Sequence, residues 1–355
     1  MNSAPQLAWE QFERELRGEP PQTWYERMKT LDTNRFNQHR LLLNRFASGA
    51  ELKTLFTMAQ REEEPHPGFR QWRMQARRYS PSYRTSTSRY RRTIHSDQHY
   101  EILTYQAKGQ PARGGRPRPM LIGFTGNAGL LMAPTPYVLS ALGSMGWDLL
   151  LVRRRTLEGY FDHQGDLLRS IIEYLDHHLR GLSRRGLHRS QIRSLGTSAG
   201  GLAALVVAQR LALGQGVAIG AGAGPDTFRP GGSVTRALSG IHSWWPRRRR
   251  TPLMLAYPEY NPDDRSSAGW IASYFSRRHA SQTVVSGRAY RDCSHHTLFL
   301  DLVEAGVNLE QALPSLLRPP AGPGSMAEAH DPLARDLNAA QMCAGLQSSK
   351  EIQGV

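Results

Sequence analysis

The 355-residue sequence predicts an α/β fold built on a doubly wound, mostly parallel sheet, on three observations. From residue 99 onward, short apolar runs of strand type alternate with stretches of helical spacing. The runs are too continuously apolar to leave one face in water. Helices must therefore cover both faces, as in a parallel sheet with right-handed crossovers. Third, the run Arg193-Ser194-Leu195-Gly196-Thr197-Ser198-Ala199-Gly200 passes from strand to apolar helix through a tight turn with a serine at its tip.

Taken in order, Tyr100 to Tyr105 reads as an outer strand, followed by a Gly/Pro/Arg loop over 109–118. Pro119 to Gly126 opens with a buried-type strand. A helix over 134–145 precedes a strand from Trp147 to Val152, and Leu168, Ile171, Ile172, Leu175 and Leu179 mark one side of an amphipathic helix over 165–181. The strand Gln191 to Leu195 leads into the serine turn and a helix running to Leu213, then the strand Val217 to Gly220. A Gly- and Pro-rich insertion over 223–250 carries Trp244 and Trp245 and ends in Arg247 to Arg250. After it come the strand Leu253 to Tyr257, a helix from about Asp264 to Arg278, the strand Thr283 to Ser286 and a helix from about His296 to Ala305.

Residues 1–98 form a separate N-terminal extension. Its apolar positions give three helical segments broken at Pro20-Pro21 and near Gly49, ahead of a run rich in arginine and tyrosine from Arg70 to Arg92. Pro319-Pro320-Ala321-Gly322-Pro323-Gly324 marks a linker, so 318–355 reads as a Pro/Gly linker and flexible tail.

Lysine and arginine total 45 against 30 aspartate and glutamate, a net charge of +15 and a pI near 10.3. The lysines are only Lys29, Lys53, Lys108 and Lys350, so arginine carries the excess. Such a balance reads either as an arginine-favouring nucleotide composition of the genome or as an anionic partner, engaged through the basic N-terminal segment, where Arg and Tyr interleave as in phosphate contacts and base stacking. The competing reading is a solvated connector, since no nucleic-acid-binding motif accompanies the run. Cys293 and Cys343 are too few for a disulfide framework. The polar stretch Met1 to Pro21 lacks a signal-type apolar run and no window approaches a membrane span, which predicts a cytoplasmic protein.

The chemistry concentrates at strand ends, where functional groups collect in such sheets. Gly196 and Gly200 flank Ser198 at Gly-x-Ser-x-Gly spacing, where side chains would clash if the serine is lifted on a strained elbow. The loop Gly123 to Gly129 follows the first buried strand. Asn261-Pro262-Asp263-Asp264 follows the strand ending at Tyr257, and Asp292-Cys293-Ser294-His295-His296 follows the last strand. The chain order is serine, acid, histidine. A hydroxyl needs a base for its proton, and an imidazole needs a carboxylate to fix its tautomer. Asp263 or Asp264 supplies the acid, with the other as helix cap, and His295 or His296 the base. Asp226, after the preceding strand, is a third acid.

In this order and spacing residues 99–317 resemble the α/β-hydrolase superfamily of serine esterases and acyltransferases. The resemblance implies Ser198 as nucleophile, Asp264 as acid and His296 as base. Its oxyanion hole falls to the amides of Asn127 and Ala199, with Gly126 in the same loop, and its substrate-covering lid to the insertion, where Trp244 and Trp245 suit an apolar or sugar-ring surface. No metal or organic cofactor is implied. The chain departs from the family pattern in lacking a His-Gly dipeptide in the oxyanion loop and in showing one outer strand, near residue 102, where the family has more. The activity implied is hydrolysis of an ester, on a small molecule or a glycan such as an acylated sugar. A transferase with another acceptor, and a non-catalytic binding protein for an anionic partner, are the alternatives. Gly220-Ala221-Gly222-Ala223-Gly224-Pro225 imitates a dinucleotide fingerprint but has Pro225 in the third glycine position. His177-His178 and His295-His296 are adjacent pairs without metal-ligand spacing.

Overall fold

The computed structural model describes residues 18–32, 35–36, 39–40, 43, 47, 49–70, 72, 90–97, 99–108, 117–126, 129–131, 133, 135–155, 159–161, 166–228, 232, 234–235, 251–258, 261–279, 285–290 and 309–317. Eight strands form one sheet in the order β1-β2-β4-β3-β5-β6-β7-β8. They are β1 (Tyr90–Ser96), β2 (Tyr100–Ala107), β3 (Met120–Phe124), β4 (Asp148–Arg154), β5 (Ile192–Thr197), β6 (Gln215–Ile219), β7 (Leu253–Pro258) and β8 (Val285–Tyr290). From β4 through β8 all neighbours are parallel, whereas β1 pairs antiparallel with β2 and β2 antiparallel with β4.

Alternation along each central strand sends side chains into two separate cores. Ile102, Ile122, Leu150 and Val152 meet helices α4 (Asp166–Ser183), α5 (Gly201–Arg210) and α6 (Pro262–His279) on one face. Leu103, Leu121, Leu149 and Leu151 meet α3 (Thr135–Met145) and α7 (Leu309–Leu316) on the other. Both faces are thus covered, as the apolar strands require. Every residue of α5 is buried. Helix α7 packs on α3, and its last turn is tied to the sheet, where Arg193 Nε of β5 donates to the Leu317 carbonyl (3.3 Å) and Gln215 Nε2 of β6 to that of Leu316 (3.4 Å).

Two expectations are corrected. The sheet has two outer strands, not one, and it begins at Tyr90, ahead of the boundary drawn at residue 98. The end of the Arg/Tyr run is therefore strand: Tyr90 is buried, while Arg91 and Arg92 project into solvent from β1. An edge strand exposing almost every side chain carries no apolar alternation to announce it, and its charges suit an unpaired edge.

Upstream, α1 (Pro21–Lys29) starts with Pro21 at its first position, where the missing N–H costs nothing, and α2 (Gly49–Arg61) packs against it. Trp24, Tyr25, Met28, Leu52, Leu55 and Phe69 belong to a third core of their own. Leu7, Phe12 and Leu16, the rest of the Arg/Tyr run (73–89), most of the insertion, the helix expected over His296 to Ala305 and the 318–355 tail fall outside the described residues.

Candidate active site

Parallel pairing puts the C-terminal ends of β3, β4, β5, β6, β7 and β8 at one edge of the sheet. β5 ends there at Thr197, a 3-10 turn spans Ser198–Gly200, and α5 follows from Gly201. Ser198 sits at φ +49°, the left-handed region that side chains avoid. It is half-buried, as is Ala199, whose N–H is among the first amides of the turn and has no helical carbonyl behind it.

The two flanking glycines are required by contact. A Cβ on Gly196 would overlap the Gly200 carbonyl and come within 2.9 Å of Ala204 Cβ. One on Gly200 would overlap the Phe124 carbonyl and reach 2.7 Å from that of Thr125. The elbow is thus folded tightly against both its own helix and the end of β3. Ser194 Oγ, donating to the Ala204 carbonyl at 2.8 Å, ties strand to helix behind it.

The loop after β3 lies directly against the elbow. A Cβ on Gly126 would stand 3.4 Å from Ser198 Cβ and 3.2 Å from the Thr197 carbonyl. Gly126 N–H donates to the Leu130 carbonyl (3.1 Å), and the Gly126 carbonyl accepts from Gly129 N–H (3.0 Å). The Gly126 amide is therefore engaged within the loop and is no oxyanion donor in this conformation, leaving the amides of Ala199 and Asn127 as candidates. Asn127 itself is outside the described residues.

Sequence left the acid open, and the structure separates the two aspartates. Asn261 Oδ1 accepts from the N–H of Asp263 (3.0 Å) and of Asp264 (3.2 Å) at the start of α6, so the helix cap is Asn261 and neither aspartate. Asp263 is exposed, whereas Asp264 is 2% exposed. Asp226 is exposed in the short turn Pro225–Phe228 after β6. His295, His296, Trp244 and Trp245 are outside the described residues, so the base and the lid contacts stand as read from sequence. Among the described residues no group of histidine, cysteine and carboxylate side chains could hold a metal ion.

Three side chains that the sequence did not single out hold the loop after β3. Tyr160 Oη donates to the Thr125 carbonyl at 3.1 Å and lies equally far from that of Val152. Thr197 Oγ1 donates to the Leu130 carbonyl (3.3 Å), and Arg153 Nη2 to Thr135 Oγ1 (3.0 Å) where α3 begins. Arg153 also faces Glu101 Oε1 at 3.5 Å, both groups largely buried. Tyr160 and Arg153 belong to no local motif and Thr197 fills a variable position of the serine turn, so only the folded contacts find them.

Strand order and elbow together define a fold of the α/β-hydrolase type. No protein-family model and no curated protein matches the chain. Among solved structures, a prolyl endopeptidase aligns over 64% of this chain and 39% of its own, at 14% identity and a TM-score of 0.42. This chain thus spans well under half the length of that endopeptidase. The enterobactin and salmochelin hydrolase IroE aligns over 65% of this chain and 96% of its own (14% identity, TM-score 0.41). FphF, a fluorophosphonate-binding serine hydrolase of Staphylococcus aureus, aligns over 64% and 98% (11% identity, TM-score 0.39).

Proposed function

We propose that the chain is a serine hydrolase that cleaves a carboxylic ester through an acyl-enzyme, with Ser198 as nucleophile, His296 as base and Asp264 as acid. The observation that carries this reading is the strained serine: Ser198 is held at φ +49° on an elbow that excludes any side chain at Gly196 and Gly200. Strain at a polar residue persists only where its surroundings impose it, and such positions cluster at reactive sites. Burial of Asp264 beside an exposed Asp263 supports its choice as the acid.

In the first half-reaction Ser198 Oγ attacks the ester carbonyl carbon while the imidazole takes its proton. The carbonyl oxygen becomes an oxyanion, met by the Ala199 amide and the positive end of α5. The C–O bond to the alcohol then breaks and the alcohol leaves with the imidazolium proton. Water repeats the sequence on the acyl-enzyme, releasing the acid and restoring Ser198. Two tryptophans in the insertion favour a substrate with a flat apolar or sugar-ring surface, an acylated sugar among them.

Labelling of the purified protein by a fluorophosphonate, together with turnover of p-nitrophenyl acetate, tests the reading. Both are expected in the wild type, and both are lost in Ser198→Ala and in His296→Ala, while His295→Ala retains them. A folded wild type that neither labels nor hydrolyses would refute the proposal.

A further inference from the structure

Tyr160 stands in the connection after β4, outside every strand and helix, yet it is 0% exposed. Its ring is gripped from two directions, by the edge of Phe124 at a centroid distance of 5.6 Å and by the Arg154 guanidinium 5.2 Å over its face. The hydroxyl is thereby delivered to one place, the end of β3. There it donates to the Thr125 carbonyl, with the Val152 carbonyl at the same 3.1 Å and Thr125 Oγ1 at 3.4 Å. Thr125 N–H in turn donates to the Val152 carbonyl at 3.2 Å.

The peptide plane between Thr125 and Gly126 is consequently fixed at both ends. Its carbonyl is held by Tyr160 and its N–H by Leu130. This plane packs against the elbow, since Gly126 lies against Thr197 and Ser198. A rotation of the plane would move the loop backbone relative to the Ser198 side chain and would redirect the amides that follow. Nothing else among the described hydrogen bonds holds the Thr125 carbonyl.

We propose that Tyr160 is a positioning residue for the oxyanion loop: its buried hydroxyl locks the Thr125–Gly126 peptide against the Ser198 elbow, so that the loop amides are in place before charge develops. This inference rests on the serine-hydrolase reading above. Oxyanion donors act through being pre-placed, and displacement by about 1 Å costs on the order of a hundredfold in rate. The effect therefore belongs in kcat and not in KM.

Tyr160→Phe keeps the ring, its packing on Phe124 and its place under Arg154, and removes only the hydroxyl. With p-nitrophenyl acetate, kcat is expected to fall about 10- to 100-fold with KM within about twofold, and binding of a trifluoromethyl ketone, which forms a tetrahedral adduct, is expected to weaken by the same factor. Tyr100→Phe, which removes another partly buried hydroxyl at Ser170, serves as the control and is expected to retain wild-type kcat. Hydrogen exchange read by mass spectrometry is expected to accelerate in the peptide spanning residues 125–131 and not in α5. Should Tyr160→Phe fold poorly, 3,5-difluorotyrosine at position 160 keeps both ring and hydroxyl. Its kcat is expected to decline at high pH, where the phenolate has no proton to give the Thr125 carbonyl. Wild-type kcat in Tyr160→Phe, or a loss of kcat with inhibitor affinity and loop exchange unchanged, would overturn the inference. An inert wild type would instead sink the serine-hydrolase reading, and the exchange result alone would then decide whether Tyr160 holds the loop.

Discussion

Replacing Ser198 by glycine is expected to stabilise the protein relative to replacing it by alanine, and the size of the difference follows from the elbow. A non-glycine residue in the left-handed region costs roughly 1–3 kcal/mol, and Ser198 at φ +49° bears that cost. Alanine keeps the Cβ and so keeps the strain. Glycine relieves it, but takes back about 0.4–1 kcal/mol through its greater freedom in the unfolded chain. It also forgoes the half-buried methyl, worth about 0.4 kcal/mol at roughly 0.8 kcal/mol per fully buried carbon. With a strain near the middle of its range, the net gain of glycine over alanine is about 1 kcal/mol. For a domain of this length that corresponds to a rise in Tm of about 2–4 °C. Differential scanning calorimetry on Ser198→Gly and Ser198→Ala, both free of fluorophosphonate labelling, makes the comparison without interference from catalysis. A glycine variant that melts at or below the alanine variant would refute the claim that the elbow stores strain at Ser198.

Three further outcomes are expected. Gly196→Ala would place a methyl on the Gly200 carbonyl and should destabilise by about 3 kcal/mol, seen as a lower urea midpoint with an unchanged m-value, along with loss of labelling. Glu101→Gln, which leaves the buried Arg153 charge facing a neutral amide, should cost about 3 kcal/mol; the double variant Glu101→Gln with Arg153→Met should recover most of it. Burial foremost, then the positive charges of Arg185 and His177, holds the His178 imidazole below its ordinary 6.5. Below 6.5 the unfolded chain therefore takes up the proton more readily than the folded one, and stability falls as pH drops through that window. His178→Phe keeps the stack on Tyr174 and should flatten the dependence of Tm on pH between 6.5 and the depressed folded value.

The central strands were legible because they are apolar on both faces, and the elbow because its glycine spacing is imposed by backbone contact, as the overlaps at Gly196 and Gly200 bear out. β1 was hidden for the opposite reason, its side chains facing water almost throughout. Helix α7 was missed because Pro314 interrupts a short apolar segment that reads as the approach to a linker. Which residue caps α6 was beyond sequence. Asn261, Pro262, Asp263 and Asp264 are all residues that begin helices, and only the hydrogen bonds of Asn261 show which one performs the capping. Tyr160 gave no signal because its hydroxyl's partner, the Thr125 carbonyl, lies 35 positions away in sequence.

The burial of α5 on all sides has a consequence for how the protein comes apart. Local opening begins where backbone hydrogen bonds are near solvent and apolar contacts are few. Helix α5 offers neither, because neighbours enclose its whole circumference. The serine turn is joined to it without an intervening residue, so Ser198 is anchored to a segment that should be among the last to exchange its amides. Partial unfolding that begins at β1 or within the separate N-terminal core can proceed while the elbow keeps its shape, and the reactive geometry should persist until the sheet itself gives way.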